Sequence, residues 1–524
     1  LVETGDEIGS SYGLLAESIE YPADQKWVIF RLRKKAKFSD GTPLTADDVA
    51  FTYKLFLEQG LPSYRAVLAD IVQDVEVLGP HAIKYNFTEK ASKRDAIPIV
   101  GGLPVKSQAW FEKNQARLDE SRMEPAIGSG PYVMDSFEIN RWVKYRRNPD
   151  YWGASLPINK GRSNFDEIRI EYFADTNAAF EAFKSGAYTM RVENSSKSWA
   201  TAYDFPALTD GHVVKKLMPD GGIANGQSFV MNLRRDKFSD IRVRQALSYL
   251  FNFEWSRESL FYGQYARINS FWENSDLAAT GMPSAEELVL LSPLEGDLPA
   301  GLLTKVAVMA PVSGTKPLDR SNLRKANTLL DEAGWPVGDD GLRRNANGNT
   351  LKIEIIEDSA AFDRIVLPFV ENMKAAGIEA EYDRIDPAQY TDRTRNYDFD
   401  IITDQFPMSY EPSSGLKQYF GSETADDSVF NSMGLKSSAV DALIEHVVSA
   451  ENKSDLKVAV NALDRTLRAY NFWIPQWYND QHRVAYWDMY EHPDEIAPYD
   501  LGYLDYWWYN EDKARALKDA GFLR

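Results

Sequence analysis

The amino-acid sequence predicts an α/β protein built from at least two lobes. Its 524 residues exceed what one hydrophobic core holds, because a single core stops growing at about 250 to 300 residues. Hydrophobic residues make up 44% of the chain and charged residues 26%, and both values are ordinary for a folded globular protein. Segments with strand and helix patterns alternate along the chain, which is typical of α/β proteins.

The first strand and helix are predicted close to the start of the chain. Strand-forming residues over 27–33 predict a strand, and a Gly- and Pro-containing turn follows at 38–43. Thr45, with Asp48 three residues later, predicts a capping box at the start of a helix. Further along, the pattern predicts a β-hairpin over 137–145, a strand over 168–173 and a helix over 177–184 that ends at Gly186.

The second half of the chain repeats the alternation. Apolar spacing between Ile241 and Leu260 predicts one amphipathic helix, with Arg242 and Arg244 facing outward. The irregular stretch 263–315 is long enough to predict a lid or a belt around a neighbour. The elements predicted next are a helix over 323–332, a strand over 351–356, a helix over 362–376, and strands over 378–382 and 399–403. This order predicts a parallel sheet.

Composition and motifs argue against several classes of function. A net charge of −19 disfavours nucleic acid and anionic membranes as partners. Cysteine is absent and the five histidines are widely separated, so neither disulfides nor a metal centre is expected. No nucleotide-binding loop or nucleophile motif occurs, and no motif identifies the carboxylate pair that an acidic glycoside hydrolase needs, so we expect no cofactor and no enzyme activity.

The apolar segments and the first residues of the chain bear on where in the cell the protein is located. No run of about 20 apolar residues occurs, so the sequence predicts no membrane-spanning helix. The first residues lack the pattern of an export signal, so any such signal was removed or lies upstream.

Aromatic residues are unusually frequent. They make up 13% of the chain, with 13 Trp and 27 Tyr, many of them late in the sequence. Most must belong to the core, but a minority lining a cleft would suit a receptor, because Trp and Tyr combine a large apolar face with a polar tip.

Five ordered segments carry a resemblance to a known family: 30–33 with 38–49, 128–132, 147–152, 240–247 and 329–335. The segment 38–49 reads FSDGTPLTADDV, and 147–152 reads RNPDYW. Together they resemble the family 5 extracellular solute-binding proteins of bacterial ABC importers, over nearly the whole chain. The shorter segments 193–195, 261–265, 274–279 and 485–487 resemble the Yej branch of peptide receptors.

The resemblance implies a two-lobed periplasmic-binding-protein-like fold (type II, cluster C), with an inserted subdomain and a two-strand hinge. Residues 13–130 are then the inserted subdomain of lobe I, 131–232 with 480–524 complete lobe I, and 233–479 form lobe II. The ligand is expected in the cleft between the lobes. Family chains begin earlier, with a strand and loop that touch the ligand, and this segment is missing from the present sequence.

The resemblance also implies a function. The chain is expected to be a monomeric periplasmic receptor that captures extended oligopeptides, including peptide antibiotics such as microcin C, and delivers them to the permease of an ABC importer. The alternative is a receptor for a non-peptide solute such as an opine, a sugar conjugate or a chelated metal.

One departure from the family pattern concerns the ligand's ammonium group. Relatives that bind free peptides hold it with an Asp, and Ser409 stands at that position here. The carboxylate is therefore expected from Asp404, Glu411 or elsewhere, because an unpaired buried ammonium costs several kcal/mol. The ligand-binding positions implied by the resemblance are Asp404, Ser409, Tyr410, Glu411, Asn194, Trp199, Tyr262, Arg267, Trp272, Asn431, Ser432, Trp477 and Tyr478.

Overall fold

A computed structural model describes residues 1–522, apart from the side chain of Ser63. The chain divides into two compact units. Unit 1 contains Leu1–Asn194, Thr201–Asp220 and the chain from Gln481 onward, and unit 2 contains Ser195–Ala200 and Gly221–Asp480.

The strands of the two units are β1 (Ala16–Glu20), β2 (Trp27–Leu32), β3 (Val72–Gly79), β4 (Ala82–Phe87), β5 (Tyr132–Glu138), β6 (Trp142–Arg147), β7 (Glu167–Glu171), β8 (Met190–Val192), β9 (Val213–Pro219), β10 (Ser228–Met231), β11 (Ala266–Arg267), β12 (Lys352–Glu357), β13 (Glu379–Arg384), β14 (Ile401–Asp404), β15 (Trp473–Pro475), β16 (Trp477–Tyr478), β17 (Gln481–Trp487), β18 (Tyr490–Glu491) and β19 (Trp508–Tyr509).

The helices are α1 (Ala46–Gln59), α2 (Pro62–Ile71), α3 (Ala96–Gly101), α4 (Gln108–Asn114), α5 (Thr176–Lys184), α6 (Ser196–Thr201), α7 (Pro206–Thr209), α8 (Ile241–Leu250), α9 (Phe253–Ser259), α10 (Ala285–Leu291), α11 (Arg320–Glu332), α12 (Asp363–Ala375), α13 (Pro387–Arg395), α14 (Leu416–Phe420), α15 (Ser438–Ser449), α16 (Lys453–Ala469) and α17 (Glu511–Asp519).

Unit 1 is built around small antiparallel sheets. The strand orders are β1-β2-β4-β3, β5-β6-β7, β8-β17-β9 and β18-β19. The predicted first strand, hairpin, later strand and helix are confirmed as β2, β5–β6, β7 and α5. The predicted capping box is also confirmed, since the Asp48 carboxylate accepts the backbone N–H of Thr45 at 2.9 Å at the start of α1.

Unit 2 contains a five-stranded mixed sheet in the order β13-β12-β14-β10-β15. The prediction of a parallel sheet is confirmed for β13, β12 and β14. The strands β10 and β15 complete the sheet in antiparallel orientation. Two hydrophobic clusters of unit 2 include residues of this sheet, and helices α8, α12, α15 and α16 contribute to them.

The prediction of a single helix over 241–260 is wrong. The segment forms α8 and α9, separated by a break at which the Asn252 side chain caps α9 by accepting the backbone N–H of Trp255. Arg244 does not face outward either. It is 7% exposed, and its guanidinium donates to the backbone carbonyls of Tyr470 and Ser239, which provide the acceptors that water would otherwise supply.

The irregular stretch 263–315 is anchored to α16. The carboxylate of Asp464 accepts the backbone N–H groups of Phe271 at 3.0 Å and Ala279 at 2.9 Å, and also the Arg468 guanidinium at 2.9 Å. The stretch contains α10, whose start at Ser284 carries a further capping box. The role of lid or belt stays a prediction.

Within residues 1–522, no helix has both the length and the apolar character needed to cross a membrane.

Candidate ligand-binding site

The candidate site lies on unit 2, at one end of its five-stranded sheet. Because β12 and β14 are parallel, their carboxyl ends meet at the same edge, and ligands of open α/β sheets usually bind there. Glu357 is the last residue of β12, and Asp404 is the last residue of β14. Ser228, at the start of β10, lies directly opposite Asp404 on one side and Pro475 on the other.

Among the side chains described in residues 1–522, no cation forms an ion pair with the carboxylate of Asp404. The Ser432 hydroxyl donates to its Oδ2 at 2.6 Å, and the backbone N–H of Gln405 donates to its Oδ1 at 2.8 Å. Burial raises the pKa of the Asp404 carboxyl above its usual range, while these two hydrogen bonds act in the opposite direction. The ionised form is thus oriented by two donors, yet its charge is not compensated.

Two acids further back along the same part of the sheet form ion pairs. Glu354 forms an ion pair with Arg393 at 2.6 Å, and Asp400, just before β14, forms one with Lys237 at 2.7 Å. Among the side chains described in residues 1–522, no such ion pair involves the two acids at the carboxyl ends. The sheet edge therefore offers negative charge that the protein itself does not neutralise.

Tyr390 lies close to the same acidic side chains. Its hydroxyl donates to the backbone carbonyl of Thr403 at 3.2 Å. Burial raises the pKa of this hydroxyl, and the charges of Glu357, Asp404 and Asp358 raise it further. The environment around the end of β14 is therefore one that stabilises a positive group.

A chain of glutamines crosses the site next to Asp404. Gln405 Nε2 donates to Gln227 Oε1 at 3.2 Å, and Gln227 Nε2 donates to Gln476 Oε1 at 2.8 Å. Gln476 and Ser228 are fully buried, but Gln476 Nε2 and Ser228 Oγ have no hydrogen-bond partner within the described part of the chain. Because buried polar groups are rarely left unpaired, these two atoms are suited to a ligand or a water molecule.

Arg234 fixes the loop that carries Ser432. Its guanidinium donates to the backbone carbonyls of Ser432 at 2.9 Å, Asn431 at 3.0 Å and Ala425, and it lies 3.8 Å from the ring centre of Tyr397. Hydrogen bonds from the half-buried Arg234 therefore fix the backbone of the loop whose Ser432 hydroxyl donates to Asp404.

The segment that resembles the ammonium-binding loop of relatives forms hydrogen bonds with other parts of unit 2. Ser409 is exposed, and its carbonyl accepts the indole N–H of Trp272 at 3.1 Å. The Tyr410 hydroxyl donates to the carbonyl of Gly221 at 2.5 Å. Glu411 is half-buried. Trp272 itself is fully buried in the core, and its ligand contact stays a prediction.

A second group of predicted positions lies where β11 pairs with β16. Arg267 is opposite Trp477 in this pair, and Tyr478 is opposite Ala266. The ring of Trp477 packs against Phe261, with centroids 4.4 Å apart. Tyr262, just before this strand pair, is exposed and has a φ of 56°.

Two of the predicted ligand-binding residues of unit 2 are buried inside the protein. Asn431 is fully buried; its amide donates to the carbonyl of Gly421 and accepts the N–H of Leu435. Trp199 is buried in α6, and the N–H of Ser196 in that helix donates to the Tyr265 hydroxyl at 3.3 Å. Ligand contact by either residue stays a prediction.

Asn194 is the predicted position that belongs to unit 1. It is exposed and follows Glu193, which is 2% exposed and forms an ion pair with Arg191 at 2.9 Å. The Tyr203 hydroxyl also donates to Glu193, at 3.2 Å. Asn194 is thus attached to a well-fixed backbone.

The sequence did not identify Glu357, Gln227, Ser228 or Gln476 as candidates. Each is a polar residue, and no motif distinguishes it. Buried polar side chains are rare, but which polar residues become buried here depends on strand pairing that the sequence does not show.

The described side chains also bear on metal binding. In residues 1–522, no group of three or more His, Cys, Asp or Glu side chains is arranged to hold a metal ion.

The comparisons with known proteins identify a solute-binding protein. Residues 11–427 match the model of the bacterial extracellular solute-binding proteins, family 5, and the chain belongs to this family. Family 5 proteins are receptors of ABC importers, and the matched relatives and structures are binding proteins rather than enzymes.

Individual relatives place the chain near the YejA-type proteins. It is 38% identical over 513 residues to a probable peptide-binding protein YejA of Agrobacterium fabrum, covering 96% of this chain and 83% of the relative. Among solved structures, the oligopeptide-binding protein AppA of Bacillus subtilis in complex with a nonapeptide matches with a TM-score of 0.66 and 20% identity, covering 95% of this chain and 90% of AppA. NikZ of Campylobacter jejuni in complex with Ni(L-His) matches with a TM-score of 0.68 and 17% identity, covering 91% of this chain and 86% of NikZ. The predicted periplasmic-binding-protein fold and the Yej resemblance are confirmed.

Proposed function

We propose that this protein is the periplasmic receptor of an ABC importer for oligopeptides, and that Asp404 binds the α-ammonium group of the peptide. The observation that carries the proposal is the uncompensated carboxylate at the end of β14. Ser409 stands where relatives place their acid, and Asp404 is an acid a few residues earlier on the same strand and loop.

The surroundings of Asp404 suit an ammonium group. The hydrogen bonds from Ser432 and Gln405 use one lone pair on each carboxylate oxygen, which leaves further acceptor sites for an N–H donor. Binding an ammonium there compensates the charge that burial disfavours. Ser228 Oγ lies on the same face and offers a further acceptor for a second ammonium proton.

The rest of the edge suits a peptide main chain. Gln476 Nε2 offers a buried donor and Ser228 Oγ a buried hydroxyl, and a peptide presents one carbonyl and one N–H per residue. Main-chain recognition of this kind tolerates many sequences, which fits a nutrient receptor. The peptide-binding relatives support the same class of ligand.

The test compares penta-alanine with N-acetyl-penta-alanine by isothermal titration calorimetry. We expect wild-type protein to bind the free peptide more tightly, and Asp404→Asn to lose about 30-fold to several thousand-fold in affinity for it, because truncating one partner of a buried charge pair costs about 2–5 kcal/mol. Asp427→Asn, an exposed acid in the same region, is the matched control and should bind like wild type.

A parallel variant separates the two candidate acids. If Glu411→Gln loses the discrimination against the acetylated peptide and Asp404→Asn retains it, the ammonium site is at Glu411 and the assignment to Asp404 is wrong. Equal binding of both peptides by wild-type protein would contradict an ammonium site altogether, and tight binding of an opine or a chelated metal instead would favour a non-peptide solute.

Delivery to a permease, location in the periplasm and action as a monomer belong to the same proposal. The uptake of peptide antibiotics such as microcin C rests on the Yej resemblance alone and stays a prediction.

A further inference from the structure

An exposed phenylalanine lies on the loop that orients Asp404. Phe430 is 37% exposed, and among the phenylalanines that the structure describes in residues 1–522 only Phe173 is as open to solvent. Ser432, whose hydroxyl donates to Asp404, follows two residues later, and Arg234 holds the backbone between them. A ring on a fixed backbone loses little conformational freedom when another molecule covers it, so Phe430 is well suited to binding.

Tyr419 connects this ring to the end of β14. The Tyr419 ring centre lies 5.2 Å from that of Phe430 and 6.5 Å from that of Phe406, which follows Asp404 by two residues. Burial raises the pKa of the Tyr419 hydroxyl, and the charge of Asp404 raises it further, so these two side chains are close together. Phe430 is thus connected to the Asp404 carboxylate on two sides, through the Tyr419 ring and through the loop backbone.

The two rings form an apolar surface with one fixed half and one open half. Tyr419 packs against the hydrophobic core of unit 2, whereas Phe430 remains accessible to solvent. Val429, which precedes Phe430, is 51% exposed and extends the apolar surface. A third ring placed against Phe430 removes apolar area of both partners from water and adds a ring contact of the kind that aromatic side chains favour.

We propose that Tyr419 and Phe430 form a subsite for the first side chain of the peptide, and that the receptor prefers a large aromatic residue at this position. The inference rests on the proposed function and deepens it. In a peptide, the first side chain and the α-ammonium group leave the same carbon atom. An ammonium group held at Asp404 therefore brings this side chain to the surface beside the carboxylate, which is where the aromatic pair lies.

Three peptides of equal length test this preference by isothermal titration calorimetry: penta-alanine, FAAAA and AAAAF. We expect wild-type protein to bind FAAAA about 10-fold or more tightly than penta-alanine, because covering a phenyl ring with apolar surface is worth at least that ratio. FAAAA should also bind more tightly than AAAAF, because only the first residue lies beside the ammonium group. The comparison with AAAAF separates a defined subsite from a general attraction of the protein for aromatic rings.

Phe430→Ala should bind FAAAA and penta-alanine with about equal affinity, and Phe430→Tyr, which keeps a ring, should keep the preference. Phe173→Ala is the matched control. Phe173 is 38% exposed and its ring centre lies 5.6 Å from that of Tyr188, but it belongs to unit 1. This control should prefer FAAAA as wild type does. Both alanine variants remove an exposed ring, so thermal melts should show that both are folded.

Three results would overturn the inference: equal binding of FAAAA and penta-alanine by wild type, equal binding of FAAAA and AAAAF, or a preference for FAAAA that survives Phe430→Ala. N-acetyl-FAAAA separates this inference from the proposed function. If wild type discriminates against the acetylated peptide but has no preference for FAAAA, the ammonium site stands and the aromatic subsite is wrong. If the Phe430-dependent preference is present but acetylation has no effect, the subsite stands and the ammonium site is wrong. Binding of none of the peptides would remove both.

Discussion

The anchoring of segment 263–315 by Asp464 gives a direct test of the packing of unit 2. Asp464 is fully buried in α16 and accepts three donors, the N–H groups of Phe271 and Ala279 and the guanidinium of Arg468. Within residues 1–522 these two backbone N–H groups have no acceptor other than Asp464, and replacing it with alanine removes that acceptor. We therefore expect Asp464→Ala to loosen the segment that carries Arg267 and Trp272.

The size of the effect follows from these contacts. Each buried N–H left unpaired costs about 1–3 kcal/mol, and each hydrogen bond to a charged acceptor contributes about 1.5–3 kcal/mol. Arg468 keeps its bonds to the carbonyls of Ala279 and Val308, which limits the loss on that side. The free energy of unfolding should fall by at least about 3 kcal/mol.

Urea unfolding followed by Trp fluorescence measures this change, because Trp272 and Trp473 lie in the affected core. Asp276→Ala is the control. Asp276 is an exposed acid in the same segment, ion-paired with Lys457 of the same helix at 3.0 Å, and its loss should cost less than about 1 kcal/mol. If the two variants unfold within about 1 kcal/mol of each other, the reasoning about Asp464 fails.

Two further variants test the ion-pair and site assignments. Arg343→Met should lower the free energy of unfolding by about 2–4 kcal/mol, because the carbonyls of Ala376 and Trp335 lose their hydrogen-bond donor. Urea unfolding measures this change, and an unchanged urea midpoint would show that these hydrogen bonds contribute little. The folded state holds the Asp404 proton more tightly than the unfolded state does, so the stability of the wild-type protein falls as the pH rises from the ordinary Asp pKa of 3.8 through the raised pKa of the folded state. Asparagine carries no such proton. Above this pH range, Asp404→Asn should therefore make the ligand-free protein more stable than wild type. Thermal melts across pH check this, and a variant that is less stable than wild type at pH 7 would contradict it.

Local sequence patterns predicted most of the helices and strands correctly. They failed where contacts with residues far along the chain determine the local structure. The capping box at Thr45 and the alternation over 323–403 depend on neighbours in sequence, and both appear in the structure. The break at Asn252 does not follow from its neighbours, because its amide also donates to the carbonyls of Gly314 and Lys316 far along the chain. An apolar repeat that continues through 251 and 253 hides such a break.

The same distinction applies to the candidate site. Asp404 and Ser432 were predicted as binding residues, and the structure brings them within 2.6 Å of each other. Ser228 and Gln476 could not be predicted, because their place beside Asp404 depends on the pairing of β10 with β14 and β15. A pairing between strands more than 150 residues apart leaves no periodic signal in either segment.

The central claim is that the cargo is a peptide with a free ammonium group. The most direct measurement is to denature freshly purified protein and identify by mass spectrometry what it releases, with Asp404→Asn purified in parallel. The account predicts intact peptides of mixed sequence, each with a free N-terminus, from wild type and few or none from the variant. Release of an opine, a sugar conjugate or a chelated metal from wild-type protein would contradict it.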